Sequence, residues 1–342
     1  MRSLLLLLLL TAVSISTLMA AEADDEAALL AFKVAAINGG HGDPLASWNR
    51  SSALGFCSWE GVRCEGSHRR VVELSLPCYG LIGNLFSAIG NLTFLRTLNL
   101  ISNWLQSSIP ESIGCLASLQ KLNLSYNTFS GPLPANLSSC VSLLYMDISS
   151  NRLHGRIPVE LGHKLTSLQT LSLRNNSLTG AIPASLSNMS SLYYLNLGTN
   201  QIEGAIPPEL GRIGGLRGLD LSGNKLSGVL PHSLYNLSML TGFLVYRNLL
   251  SGTIPADIGN RLPNIEFINF SSNLSALSTL ALNDNNLSGY VPSTLGRLQG
   301  LIGLYLSNNK LETKDSLVPV GKPLLSQFPN RNRQSGTKGP HL

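Results

Sequence analysis

Aromatic residues make up 6% of this 342-residue chain and charged residues 13%, and five cysteines are present. Each shortage excludes something. The formal charge of +5 is spread thinly, with its densest basic cluster near the C-terminus (Arg331, Arg333, Lys338). No Lys/Arg stripe interleaved with aromatics exists, so nucleic acid is not an expected partner. Catalytic signatures are missing as well: no G-x-S-x-G, H-E-x-x-H, H-R-D or D-F-G occurs. The six histidines are scattered, and His154, His163 and His232 fall in expected outer loops. Past the N-terminus no run approaches the roughly 18 apolar residues of a membrane helix. Neither a catalytic residue nor a metal or cofactor is expected, and no direct membrane insertion.

What the chain does have begins with MRSLLLLLLLTAVSISTLMAAEA. One positive charge, an apolar run and small residues from Ala20 to Ala23 predict a secretory signal peptide over 1–23. Export agrees with ten Asn-x-Ser/Thr sequons, at Asn49, Asn91, Asn123, Asn136, Asn175, Asn188, Asn236, Asn269, Asn273 and Asn286, several of which are expected to carry glycan. The expected location is extracellular (the apoplast), or the plasma membrane if the chain is part of a receptor.

Leucine and asparagine are abundant, and they recur. Units begin at Val71, Leu95, Leu119, Leu143, Leu168, Leu192, Leu216, Leu240, Ile265, Leu277 and Leu301, most of them 24 residues long. Their shared form, L-x-x-L-x-L-x-x-N-x-L-x-G-x-I-P, is a leucine-rich repeat. In LQKLNLSYN, Leu122 and Leu124 alternate with polar residues, the period of a strand with one buried face. One such strand cannot bury its leucines alone, so the units must stack as a solenoid over 71–311. The asparagine column from Asn103 to Asn309 falls where the chain turns inward, and its amides are read as structural. Each Gly-x-Ile-Pro, as at Ile182-Pro183, predicts a second extended segment followed by a short helical turn.

Residues 24–70 read as a cap. DDEAALLAFKVAAI predicts an amphipathic helix with acids at its start, ended by Asn38-Gly39-Gly40. In CSWEGVRC, Cys57 and Cys64 are close enough to form a small disulfide loop, favoured over a metal site because no second Cys/His pair stands at ligand spacing. Cys78, Cys115 and Cys140 are expected as small buried thiols, a Cys115–Cys140 bond being the other possibility.

The Gly-x-Ile-Pro within a 24-residue unit resembles the plant-specific class of leucine-rich repeats. D-x-x-A-L-L-x-F-K, S-W-N and C-x-W-x-G-V-x-C resemble the N-terminal cap of plant leucine-rich-repeat receptor kinases. Residues 24–311 resemble the ectodomains of the subfamily that includes immune receptors for bacterial patterns. The fold this implies is an α/β solenoid, a plant-type superhelix behind a helical, disulfide-bonded cap. Its implied partner is an extracellular peptide or protein, with or without a co-receptor, in defence or signalling. Relative to that family the membrane helix and kinase are missing, so a shortened receptor is expected. The runner-up is a secreted inhibitor of microbial cell-wall-degrading enzymes, such as polygalacturonase; those inhibitors carry further cysteines that this chain lacks.

The pattern breaks twice. The unit at Ile265 runs only 12 residues, to 276, and lacks its G-x-I-P half, which predicts a kink or bulge between two inner strands. Residues 312–342 are aperiodic and rich in Pro, Gly and basic residues, a composition that predicts disorder.

Outward positions of the inner strands are mostly Ser, Asn, Thr or Gly. Against that background Tyr145, Asp147, Arg174, Tyr194, Asp220 and Tyr246, with Arg217 and Arg247 on the flanks, are the candidate ligand-binding residues, because Tyr and Arg are enriched at binding hot spots. Asp147 and Asp220 lie three coils apart, roughly 14 Å, too far to act as a catalytic acid pair.

Overall fold

The computed structural model describes residues 24–37, 42–50, 55–66, 69–262, 279–298 and 303–312. The expected leader, the short unit 265–276 and residues 313–342 of the tail lie outside them. An eleven-stranded inner sheet runs the length of the molecule. Its first strand, Val62–Glu65, belongs to the cap and pairs antiparallel with Arg70–Ser75. The nine strands that follow are parallel and pair without offset, so that Leu122, Met146, Leu171, Leu195 and Leu219 stand in one row. All five are buried, and each coil closes the apolar face of the one before it.

The second extended segment also forms, just ahead of the Ile-Pro pair. Ser130–Pro132, Arg152–Gly155, Ser177–Gly180, Gln201–Ala205, Lys225–Val229 and Leu249–Ser251 make a six-stranded parallel lateral sheet. After each proline the chain turns tightly, usually as a five-residue 3-10 helix such as Glu111–Cys115, whose N-cap Pro110 has the extended backbone that proline favours.

The asparagine column links coil to coil. Asn127 donates through Nδ2 to Leu100 O of the preceding coil (2.9 Å) and to Leu124 O of its own (3.1 Å), while its Oδ1 accepts from Leu105 N–H (3.0 Å). Asn224 repeats the pattern with Leu197 O, Leu221 O and Ile202 N–H. A side chain with donor and acceptor together satisfies buried backbone groups on two coils at once.

The kink or bulge expected at the unit from Ile265 lies outside the described residues; the inner strands that flank it are Gly242–Leu244 and Thr279–Ala281. These strands pair directly, Phe243 with Leu280 and Leu244 with Ala281. Asn285 reaches back to Val245 O (3.0 Å) and accepts from Leu250 N–H (3.0 Å), as its counterparts do elsewhere. On the convex side Thr294 Oγ1 donates to Ala256 O (2.7 Å). The coils on either side of residues 263–278 thus satisfy each other's backbone.

Helix 24–36 and the two cap tryptophans seal the first coil. Trp48 and Trp59 stack at 5.4 Å, and Phe32 packs against Trp48 at 6.1 Å. The carbonyls of Ala35 and Ala36 accept from the amides of Ile82, Gly83 and Asn84, so the first coil satisfies the end of the helix. Cys57 and Cys64 are disulfide-bonded, with Cα atoms 5.5 Å apart. Asp25, in the first turn of that helix, is fully buried and grips Arg70.

Candidate functional site

The concave face of the inner sheet gathers five of the eight candidates. Tyr145 and Tyr194 share a column with Thr170 between them, two strand spacings or about 10 Å apart. The next column holds Asp147, Ser172, Asn196 and Asp220 in register. Each polar residue of that column folds its Oδ1 back onto its own strand where geometry allows. Asp147 accepts from Ser149 N–H (2.9 Å), Asn196 from Gly198 N–H (3.0 Å) and Asp220 from Ser222 N–H (3.0 Å).

Arg174 spans two coils to place Nη1 3.0 Å from Asp220 Oδ2. Gly198 lies on the intervening coil, and a Cβ there would stand 2.8 Å from Asp220 Oδ1. The bare glycine leaves room for the carboxylate and the guanidinium to meet. Gly218 does the same for Tyr194, whose Cδ2 would be 2.5 Å from an added Cβ.

The tyrosines are anchored through their hydroxyls. Asn196 Nδ2 donates to Tyr194 Oη at 2.9 Å, and Tyr145 Oη stands 3.4 Å from Asp147 Oδ2. Lys121 Nζ sits over the Tyr145 ring, 5.5 Å from its centroid. Burial, reinforced by the Asp147 charge, raises the Tyr145 phenol above its ordinary range. Burial likewise pushes Tyr194 up to about 12, against the hydrogen bond from Asn196. Both are neutral hydroxyls at physiological pH.

Three candidates stand apart. Arg217 is half-buried on the flank, where its backbone carbonyl accepts from Thr241 and Gly242. Tyr246 is half-buried further along the face. Arg247 is mostly exposed and has left-handed backbone (φ 54°), in a column that also includes Ser150, Asn175 and Thr199. Its Nε lies 3.8 Å from Asp284 Oδ2. Sequence reasoning missed Asn196, Gly198 and Gly218, which look like generic filler until the neighbouring coil is placed beside them.

Of the sequon asparagines, Asn49, Asn91, Asn136, Asn175, Asn188, Asn236 and Asn286 are exposed, while Asn269 and Asn273 lie outside the described residues. Asn123 is buried, and its Oδ1 accepts from the Ser125 amide (3.1 Å) and hydroxyl (2.7 Å). The free cysteines also depart from expectation: only Cys140 is buried, while Cys78 and Cys115 are exposed. No helix among the described residues is long and apolar enough to cross a membrane.

A leucine rich repeat N-terminal domain profile matches residues 22–65, and leucine rich repeat profiles match 94–116, 118–140, 141–202 and 215–237. The chain is a leucine-rich-repeat protein. Its relatives include the LRR receptor-like serine/threonine-protein kinase EFR of Arabidopsis thaliana, 45% identical over 87 residues, which is 25% of this chain and 8% of that receptor. Among solved structures, the Arabidopsis receptor kinase HAESA, in complex with the peptide hormone IDA and the co-receptor SERK1, superposes with a TM-score of 0.72 at 31% identity. That match covers 84% of this leucine-rich-repeat protein and 46% of the HAESA chain. A plant ice-binding protein matches with a TM-score of 0.70 at 28% identity, covering 89% of this chain and 94% of its own. The leucine-rich-repeat protein is thus homologous to plant receptor-kinase ectodomains, while spanning under half the length of EFR and of that HAESA chain.

Proposed function

We propose that this protein recognises an extracellular peptide or small protein on its concave face, in defence or signalling, with the surface from Tyr145 to Asp220 as the contact centre. The observation that carries this is the clustering of the Tyr145–Asp147, Arg174–Asp220 and Tyr194–Asn196 pairs on adjacent coils of a face whose outward positions are mostly small. Neutral tyrosines with positioned hydroxyls offer large contact area at little entropic cost. Homologous ectodomains solved with a peptide hormone and a co-receptor support the reading. Ice binding is not favoured, because the lateral sheet carries Arg152, His154, Glu203 and Lys225 rather than a repeating lattice of one side chain.

The test is a binding screen of the glycosylated chain against plant and microbial peptides, run beside a polygalacturonase inhibition assay. Peptide binding weakened by Tyr145→Ala with Tyr194→Ala, at nearly unchanged thermal stability, supports the assignment. Dose-dependent polygalacturonase inhibition with no peptide bound would instead favour the inhibitor reading.

A further inference from the structure

Asp147 and Asp220 occupy the same position on coils three apart and hold the same backbone turn through Oδ1. Their second oxygens differ. Asp220 Oδ2 carries the Arg174 guanidinium. Asp147 makes no ion pair among the described residues, and its Oδ2 has only the distant Tyr145 hydroxyl at 3.4 Å. The residue from which an equivalent arginine would reach Asp147, at the repeat position of Arg174 and two coils earlier, is Ile101. Lys121, the nearby cation, is engaged over the Tyr145 ring.

The turn itself does not require a charge. Asn123 and Asn196 hold the same turn on their own coils with a neutral amide. A carboxylate at 147 therefore adds a half-buried negative charge that local structure neither needs nor neutralises. Beside it stand the Tyr145 and Tyr194 rings, whose faces attract cations, with the Ser172 side chain between Asp147 and Asn196 in the same column.

From this asymmetry we infer that Asp147 receives a basic group of the ligand, an arginine or lysine side chain or a free amino terminus, in the way Asp220 receives Arg174. The inference rests on the peptide-recognition reading above and specifies its chemistry. The protein supplies one guanidinium for this face and leaves the second to its partner.

Asp147→Asn provides a clean test, since asparagine keeps the turn that Asn123 and Asn196 already make. A phage-displayed library of random dodecapeptides is selected on the wild-type chain, and affinities of the recovered peptides are compared with those for Asp147→Asn. Enrichment of one basic position is expected, together with about a ten- to hundredfold affinity loss in Asp147→Asn, the range for a hydrogen bond to a charged partner. Recovered peptides without a basic position, or with equal affinity for Asp147→Asn, overturn the inference and leave peptide recognition standing. Recovery of no peptide at all overturns both.

Discussion

Asp25, fully buried in the cap helix, holds the Arg70 guanidinium with both carboxylate oxygens at 2.8 Å and the Val71 amide at 2.9 Å. One side chain thus fastens the cap to the first inner strand of the repeats. Asp25→Ala would leave a largely buried guanidinium and a buried N–H without partners. The expected cost is about 3–5 kcal/mol, as for other buried pairs broken from one side. Urea unfolding followed through Trp48 and Trp59 fluorescence measures it, and an unshifted midpoint would show that the latch contributes nothing.

Loss of one rung of the asparagine column should be felt on two coils. Asn224→Ala orphans Leu197 O and Leu221 O as well as Ile202 N–H. With about 1–3 kcal/mol for a buried group left unsatisfied, the total should reach at least about 2 kcal/mol. Asn224→Asp should not rescue it, because a carboxylate has no donor for the two carbonyls. Thermal unfolding of the two variants side by side decides the point; full stability in Asn224→Asp would mean that the donor half of the amide is dispensable.

Cysteine reactivity should divide by burial. Cys140 is buried, with Sγ 3.2 Å from Ile113 O, and burial pushes its thiol up to about 12. Iodoacetamide at pH 8 should alkylate exposed Cys78 and Cys115 in the native protein and reach Cys140 only after denaturation. The sign for stability follows from the same shift. A pKa higher in the folded state gives a contribution that is whole below the unfolded value near 9 and is lost as pH climbs toward 12. Peptide mapping by mass spectrometry reads the first effect. Native alkylation of Cys140 would contradict the buried assignment.

The solenoid was legible because its cause is periodic: a leucine spacing and an asparagine column state the same geometry at every turn. The Asp25–Arg70 latch was not, since two residues 45 positions apart in the chain show no local sign of meeting. At the candidate site Tyr145 and Tyr194 could be placed by counting. The meaning of Gly198 could not, because its space is used by Arg174 and Asp220 from two other coils.

Glycan occupancy bears directly on where a ligand can sit. Attachment at Asn123 would place a bulky sugar on the concave face one coil before Tyr145 and next to Lys121. Yet Asn123 is buried, its Oδ1 holds two donors from Ser125, and Ser125 is itself inaccessible. A glycan there would have to displace a turn that the strand end uses, leaving buried donors unsatisfied. Asn136, Asn188 and Asn236, by contrast, lie exposed at the convex helical turns, away from the inner sheet. Glycopeptide mass spectrometry of the secreted chain is expected to find sugar on the convex asparagines and none on Asn123. Asn123→Gln should then leave the glycan mass unchanged. Substantial occupancy at Asn123 would refute this prediction and shift the expected contact surface toward the coils beyond Tyr194.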